Sequence, residues 1–373
     1  MAHSRRAAAH IAREIRNAGG WIPFSEFMQL ALYAPGHGYY AAGANKFGAK
    51  GDFHTAPGLT PLFGRALARQ FADVLRSSGG SVLELGAGTG VLAAGLLAEL
   101  AALDAVPDTY AILETSPDLR ERQRGAVSQL APALLARVRW LDSLPEHWTG
   151  VIFGNEVLDA LPVELLARRD DRRLQRGVRV EQTHDFAWHD EELHGGPLFD
   201  AIDALFPAGD YESEINPQAN ALTATLAGIL RRGLLLWIDY GFPAREYYHP
   251  QRTTGTLMCH YRQHAHADPL LLPGLQDVTA HVNFSAIAQA GIDAGLGLSG
   301  YASQAGFLLD CGIAELLQQT GTPGTPEFLR HSNAVQRLLS PAEMGELFKV
   351  IAFTREFEPP LRGFARSDRS DRL

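Results

Sequence analysis

The 373-residue chain opens with apolar positions three and four apart, Ala8, Ile11, Ala12 and Ile15, the spacing of one helical face. Gly19-Gly20 interrupts it, and Ser25 precedes Glu26-Phe27-Met28-Gln29-Leu30 as an N-cap would, so residues 1–33 predict two helices. A stretch without period follows, Tyr33-Ala34-Pro35-Gly36-His37-Gly38-Tyr39-Tyr40 and then Gly51-Asp52-Phe53-His54-Thr55-Ala56-Pro57, which is expected to form a functional loop or lid. Residues 59–78 are amphipathic. Short apolar runs at 81–85, 110–114, 138–141, 150–154 and 233–241 then alternate with helical stretches, the order of a parallel sheet covered by crossover helices. Helices at 284–294 and 304–318 and strands at 296–301 and 348–353 complete this reading.

Two stretches break the alternation. Residues 163–215 hold short strand-like runs at 178–180, 186–188 and 211–215 among charged turns, which predicts an inserted antiparallel element without a core of its own. Residues 242–283 are loop-rich and carry His249, His260, His264, His266 and His281, read as structural or solvated histidines and not as metal ligands. The expected organisation is therefore an N-terminal helical and lid segment (1–78), an α/β domain (79–361) containing both insertions, and a flexible tail (362–373).

The chemistry concentrates at Ser81-Val82-Leu83-Glu84-Leu85-Gly86-Ala87-Gly88-Thr89-Gly90. A strand, a glycine turn and a helix in succession let a ligand approach the backbone, with helix N–H groups facing it. The spacing is G-x-G-x-G; Val91 stands where a dinucleotide site needs its third glycine. With an acid two residues ahead, the run resembles motif I of S-adenosylmethionine (SAM)-dependent methyltransferases. Gly86, Ala87, Gly88 and Gly90 are the expected cofactor cradle, and Glu84 would face the ligand's ammonium end. Glu114, at the end of the second strand, suits two ribose hydroxyls, a use shared with NAD sites. Asp142 and Ser143 after the third strand are candidates for the adenine edge. Asn155-Glu156-Val157-Leu158-Asp159-Ala160-Leu161-Pro162 follows the fourth strand, on the substrate side of such a fold.

Composition narrows the class. Hydrophobic content of 46% and charged content of 20% are those of an ordinary globular protein, and a formal charge of −9 argues against nucleic-acid binding by bulk electrostatics. Cys259 and Cys311 have no metal-ligand spacing, so no metal is expected and a reducing compartment is the default. No run is long enough to span a membrane, and Arg5, Arg6, Arg13 and Arg16 are read as part of the first helix, giving a bacterial-type cytoplasmic expectation.

Taken together, Tyr33 to Tyr40, Gly51-Asp52-Phe53, E-x-G-x-G-x-G, Asn155 to Pro162, Asp239-Tyr240-Gly241 and Leu275-Gln276-Asp277-Val278-Thr279-Ala280-His281-Val282-Asn283-Phe284 resemble the MidA-like family. A mitochondrial complex I assembly-factor arginine methyltransferase also belongs to it. The resemblance covers roughly residues 10–355. Departures fall at Thr55-Ala56-Pro57-Gly58, where relatives carry Thr-Ser-Pro-Glu, and at Ser303-Gln304-Ala305-Gly306-Phe307-Leu308. The resemblance implies a seven-stranded Rossmann-like SAM-dependent methyltransferase fold and symmetric ω-dimethylation of arginine in a protein partner such as a respiratory-complex subunit, a homodimer being compatible.

Within that frame, Glu156 and Asp159 are the expected acceptor-binding acids, because carboxylates grip a guanidinium in two places. There is no proline pair or aromatic after Asn155, the pattern that amide and adenine methyltransferases use. Tyr39, Tyr40, Asp52, Phe53 and His281 are the expected substrate and lid residues. A SAM-binding assembly factor without turnover and a methyltransferase for a small molecule are the alternatives.

Overall fold

A computed structural model of the chain describes residues 2–41, 56–181 and 185–373. The chain divides into two compact units. The larger comprises His54–Val157, Ala221–Gly241 and Phe284–Leu373. Its sheet has seven strands in one path, numbered here in chain order. They are β1 (Ser81–Leu85), β2 (Tyr110–Leu113), β3 (Val138–Leu141), β4 (Trp148–Asn155), β5 (Leu230–Phe242), β6 (Gly297–Ser303) and β7 (Phe348–Arg355). The spatial order is β6-β7-β5-β4-β1-β2-β3. Strands β3, β2, β1, β4 and β5 run parallel, and β7 is antiparallel to both β5 and β6. The sheet is the seven-stranded Rossmann-like one that the sequence suggests.

The order reverses between β1 and β4, so their carboxyl ends form the switch point where an open α/β sheet binds ligands. Sequence dictates this layering. Strands covered on both faces must be apolar throughout, and Leu234-Leu235-Leu236-Trp237-Ile238 of β5 and Val151-Ile152-Phe153 of β4 are all buried. Helix Pro61–Ser78 starts where the Thr60 hydroxyl accepts the Leu62 amide, and Phe63, Leu67 and Phe71 on its inner face meet Leu92 and Leu96 of helix Val91–Ala102 in one core.

The smaller unit comprises Met1–Phe53, Leu158–Asn220 and Phe242–Asn283. Here the structure departs from the sequence reading. The 163–215 stretch shares a core with the N-terminal helices and the 242–283 stretch: Ile11, Ile15, Phe24, Phe27, Val163, Leu165, Val178, Cys259 and Val278 pack together. Its five-stranded sheet contains Glu164–Arg169 and Arg172–Val180, joined through Asp170 and Asp171, both left-handed at φ 48° and 60°. Arg169 and Arg176 each pair with both Asp190 and Glu212, so charged side chains cross-link neighbouring strands. Ser25 is not an N-cap. Pro23 takes that position, and the Ser25 hydroxyl donates to Glu164 at 2.6 Å.

Two expectations in the larger unit also change. The helix expected over 304–318 divides into Gln304–Asp310 and Ile313–Gln318 at Gly312 (φ 83°), where Arg69 donates to the carbonyls of Cys311 and Gly312. The tail from Arg362 is not loose. Phe364 packs against Phe307, Arg366 pairs with Asp310, Arg369 pairs with Glu346, and the Arg369 amide donates to the Tyr301 carbonyl.

Candidate active site

Strand β1 delivers the chain to Gly86, Gly88 and Gly90, all left-handed at φ 67°, 51° and 82°. Only glycine adopts that conformation at no cost. Two of the three are also fixed by close approach. A Cβ on Gly86 would lie 2.8 Å from Val157 Cγ2, and one on Gly90 would lie 2.6 Å from the Gln123 backbone. The helix Val91–Ala102 begins directly after Gly90, which leaves its first N–H groups at the carboxyl end of the sheet. Ala87, between the first two glycines, is buried.

Glu84 is 2% exposed, and its Oε2 accepts the Tyr110 hydroxyl at 2.7 Å. Burial pushes its carboxyl up to about 8, with the Tyr110 hydrogen bond opposing. The carboxyl is thus held inside the sheet by β2 and does not stand open at the strand end.

Glu114 follows β2. Its Oε1 accepts the Ser116 amide at 2.9 Å and its Oε2 accepts Gln123 Nε2 at 3.2 Å. Helix Pro117–Leu130 supplies two residues, three apart on one face, that organise this corner. Arg120 donates to the Glu114 carbonyl (2.6 Å), the Leu141 carbonyl (3.0 Å) and Asp142 Oδ1 (2.6 Å), tying the ends of β2 and β3 together. Asp142 remains 85% exposed at its side chain, and Ser143 is exposed beside it. Gln123, fully buried, donates to the Gly88 carbonyl (3.0 Å) as well as to Glu114, and accepts the Trp140 indole N–H (2.8 Å). Neither Arg120 nor Gln123 stood out in the sequence.

Strand β4 ends in Asn155, whose Nδ2 donates to Glu156 Oε1 at 3.1 Å. Asn155 Oδ1 is buried and takes no hydrogen bond among the described residues. Glu156 sits at φ 55°, left-handed and not glycine, a conformation that costs on the order of 1 kcal/mol and needs enforcement by its surroundings. The enforcement is visible. The Glu156 amide donates to the Ile238 carbonyl at 2.9 Å, and buried Asp239 accepts the Val157 amide at 3.1 Å and the Tyr240 amide at 2.9 Å. Asp239-Tyr240-Gly241, quoted from the sequence only as part of a motif, therefore includes the acid that shapes this turn.

The remaining candidates belong to the smaller unit. Tyr39 is a core residue, 1% exposed, and its ring meets that of Tyr40 edge-on, so its side chain packs the interior of the smaller unit. Tyr40 donates to Asp277 Oδ1 at 2.9 Å, and Tyr33 donates to the Ala160 carbonyl at 2.9 Å. Burial first, then the charges of Asp277 and Asp159, holds both tyrosine hydroxyls well above their ordinary range. Asp159 is buried, and its backbone carbonyl accepts the Ala280 amide. His281 stacks on Phe242 at 5.3 Å, with its amide donating to Thr256 Oγ1. Asp52 and Phe53 lie outside the described residues. Among the described residues no cluster of His, Cys, Asp and Glu is arranged to hold a metal.

A sheet of this order with a glycine turn after β1, an acid after β2 and an Asn-Glu pair after β4 defines the class of SAM-dependent methyltransferases. Comparison with known proteins agrees. The family Methyltransf_28, described as "putative S-adenosyl-L-methionine-dependent methyltransferase", matches residues 66–302, and the chain belongs to this family. A protein from Burkholderia thailandensis, solved bound to S-adenosyl-homocysteine, is 51% identical, with a TM-score of 0.97 over 100% of this chain and 97% of that one. A native structure of a COG1565 superfamily protein from the same organism gives a TM-score of 0.94 at 50% identity, over 100% of this chain and 97% of that one. More distant is the mitochondrial protein arginine methyltransferase NDUFAF7 of Mus musculus, 28% identical over 92% of this chain and 83% of the relative. Its Caenorhabditis elegans homolog is 27% identical over 80% of this chain and 75% of the relative.

The residues at the switch point fit SAM on their own terms. The orphaned Asn155 Oδ1 offers an acceptor to a ligand N–H, and Glu114 offers its carboxylate to hydroxyls.

Proposed function

We propose that this SAM-dependent methyltransferase acts on arginine in a protein partner, forming symmetric ω-dimethylarginine. The observation that carries the reading is Glu156: an acid forced into left-handed backbone at the carboxyl end of β4, with its side chain braced by Asn155. A site that maintains such strain is a candidate for function. The 26–28% identical relatives named protein arginine methyltransferases support the same acceptor.

When bound, the cofactor supplies a methyl group on a sulfonium, already attached to a good leaving group, so positioning and exclusion of water are the protein's main tasks. Gly86, Gly88 and Gly90 let the backbone approach the ligand. Glu114 accepts from the ribose hydroxyls. Asn155 Oδ1 accepts from the amino group of the methionine part. Glu156 accepts two N–H groups of the arginine side chain, fixing the guanidinium plane and drawing positive charge away from the reacting nitrogen.

The test is transfer of labelled methyl from SAM to proteins of a cell extract. Wild type is expected to label protein and Glu156→Gln to lose at least tenfold in transfer while binding S-adenosyl-homocysteine unchanged. Full transfer by Glu156→Gln would remove the acceptor role, and no labelled protein under any condition would remove the activity.

A further inference from the structure

The carboxylate after β2 does not hold its own orientation. Glu114 Oε1 is fixed by a backbone amide two residues on, but Oε2 is reached by a single side-chain donor among the described residues, the Gln123 amide. That amide is itself overdetermined. Its Oε1 accepts the Trp140 indole N–H from β3, which forces the NH2 group to face the glycine turn and Glu114. Its Nε2 then spans the Gly88 carbonyl and Glu114 Oε2. Gly90 presses directly against the Gln123 backbone, where no Cβ fits. One fully buried side chain therefore connects the glycine turn after β1, the acid after β2 and the indole of β3.

We propose that Gln123 is the positioning residue of the cofactor site, setting Glu114 to grip the ribose hydroxyls and Gly88 to hold the turn, with Trp140 fixing the orientation of its amide. The inference deepens the proposed ribose role of Glu114 and rests on it. Both amide atoms of Gln123 are engaged within the protein. It acts through Glu114 and the turn, in the way that outer residues orient inner ones. Glutamine suits the position chemically, because its one planar amide offers both a donor to a carboxylate and an acceptor to an indole. Glutamate would bring a second charge against Glu114, and an apolar side chain would leave the Trp140 N–H and the Gly88 carbonyl without their partner.

The experiment measures binding of S-adenosyl-homocysteine and of its 2′,3′-dideoxyribose analogue to wild type, Gln123→Met and Trp140→Phe, by calorimetry on the full chain. A charge-assisted pair of hydroxyl contacts predicts that wild type prefers the hydroxylated ligand by roughly 10–100-fold. In Gln123→Met the preference falls at least fivefold. Trp140→Phe, which keeps the glutamine and removes the bond that orients it along with part of the ring that Arg124 lies over, lowers the preference about twofold to threefold and decides the matter if Gln123→Met does not fold. A purely structural role weakens both ligands equally and leaves the preference unchanged, and that result overturns the inference. A wild type with no preference overturns the ribose role of Glu114 instead, so the two failures are distinguishable.

Discussion

The carboxyl of Glu84 makes the sheet itself pH-sensitive. Burial holds this group at about 8 in the folded chain against its ordinary value of 4.5, with the Tyr110 hydroxyl as its hydrogen-bond partner. Because the folded value is the higher one, the stabilising state is the protonated one. The contribution is complete below about pH 4.5 and is lost as pH rises through about 8. Between these limits the unfolded chain has released the proton and the folded chain has not. Stability therefore falls by about 1.36 kcal/mol per pH unit from this group alone, and by roughly 3–5 kcal/mol across the window. Glu84→Gln replaces the group by a neutral amide of the same shape that can still accept the Tyr110 hydroxyl. Urea unfolding of wild type and variant at pH 5, 6, 7 and 8, without ligand, should give curves that diverge. The variant gains on wild type by about 1 kcal/mol for each unit of pH. Indole fluorescence of Trp140, Trp148 and Trp237 reports the larger unit, in which Glu84 lies, although Trp21 and Trp188 of the smaller unit contribute to the signal. Parallel stability curves for the two proteins would mean instead that Glu84 titrates alike in the folded and unfolded states.

Further outcomes follow from the same geometry. Gly90→Ala should destabilise by roughly 2–4 kcal/mol, since the new Cβ meets the Gln123 backbone at 2.6 Å in a left-handed conformation, whereas helical Gly95→Ala, with open space around it, should stabilise by up to about 1 kcal/mol. Thermal unfolding of the pair checks both signs. Asp239→Asn keeps one acceptor but places a donor opposite either the Val157 or the Tyr240 amide, and should cost about 1–3 kcal/mol together with a loss of methyl transfer larger than the loss of cofactor affinity. Urea unfolding and single-turnover transfer assays read the two effects. Tyr40→Phe removes the hydroxyl that donates to buried Asp277 and should cost about 1–2 kcal/mol, read by urea unfolding, with cofactor affinity unchanged.

What was legible in the sequence was whatever had a local signature. The run from Val82 to Gly90 names a buried strand, a turn that needs left-handed backbone and a helix start within ten residues, and the structure keeps all three. Glu114, Asn155 and Glu156 could be placed because they end apolar runs. The smaller unit was not legible as a unit. Ile11, Val163 and Cys259 meet in one core, yet are separated by about a hundred residues or more, and no local pattern records such a contact. Strand Glu164–Arg169 was hidden because Arg168 and Arg169 are charged, and because its hairpin turns on Asp170-Asp171 in place of glycine. Gln123 gave no signal for a related reason. A buried glutamine on a polar-looking helix is unremarkable until its partners, 9, 17 and 35 residues away, are seen around it. Ser25 misled for the opposite reason: it has the right residue type for a cap, but its hydroxyl is taken by Glu164.

Proteome-wide mapping of dimethylarginine decides the identity of the acceptor. Cells with the wild-type protein should carry symmetric ω-dimethylarginine at one or a few protein sites. Those sites should be unmodified in cells lacking the protein and in cells carrying Glu156→Gln. Identical dimethylarginine maps with and without the protein would rule out arginine as the acceptor.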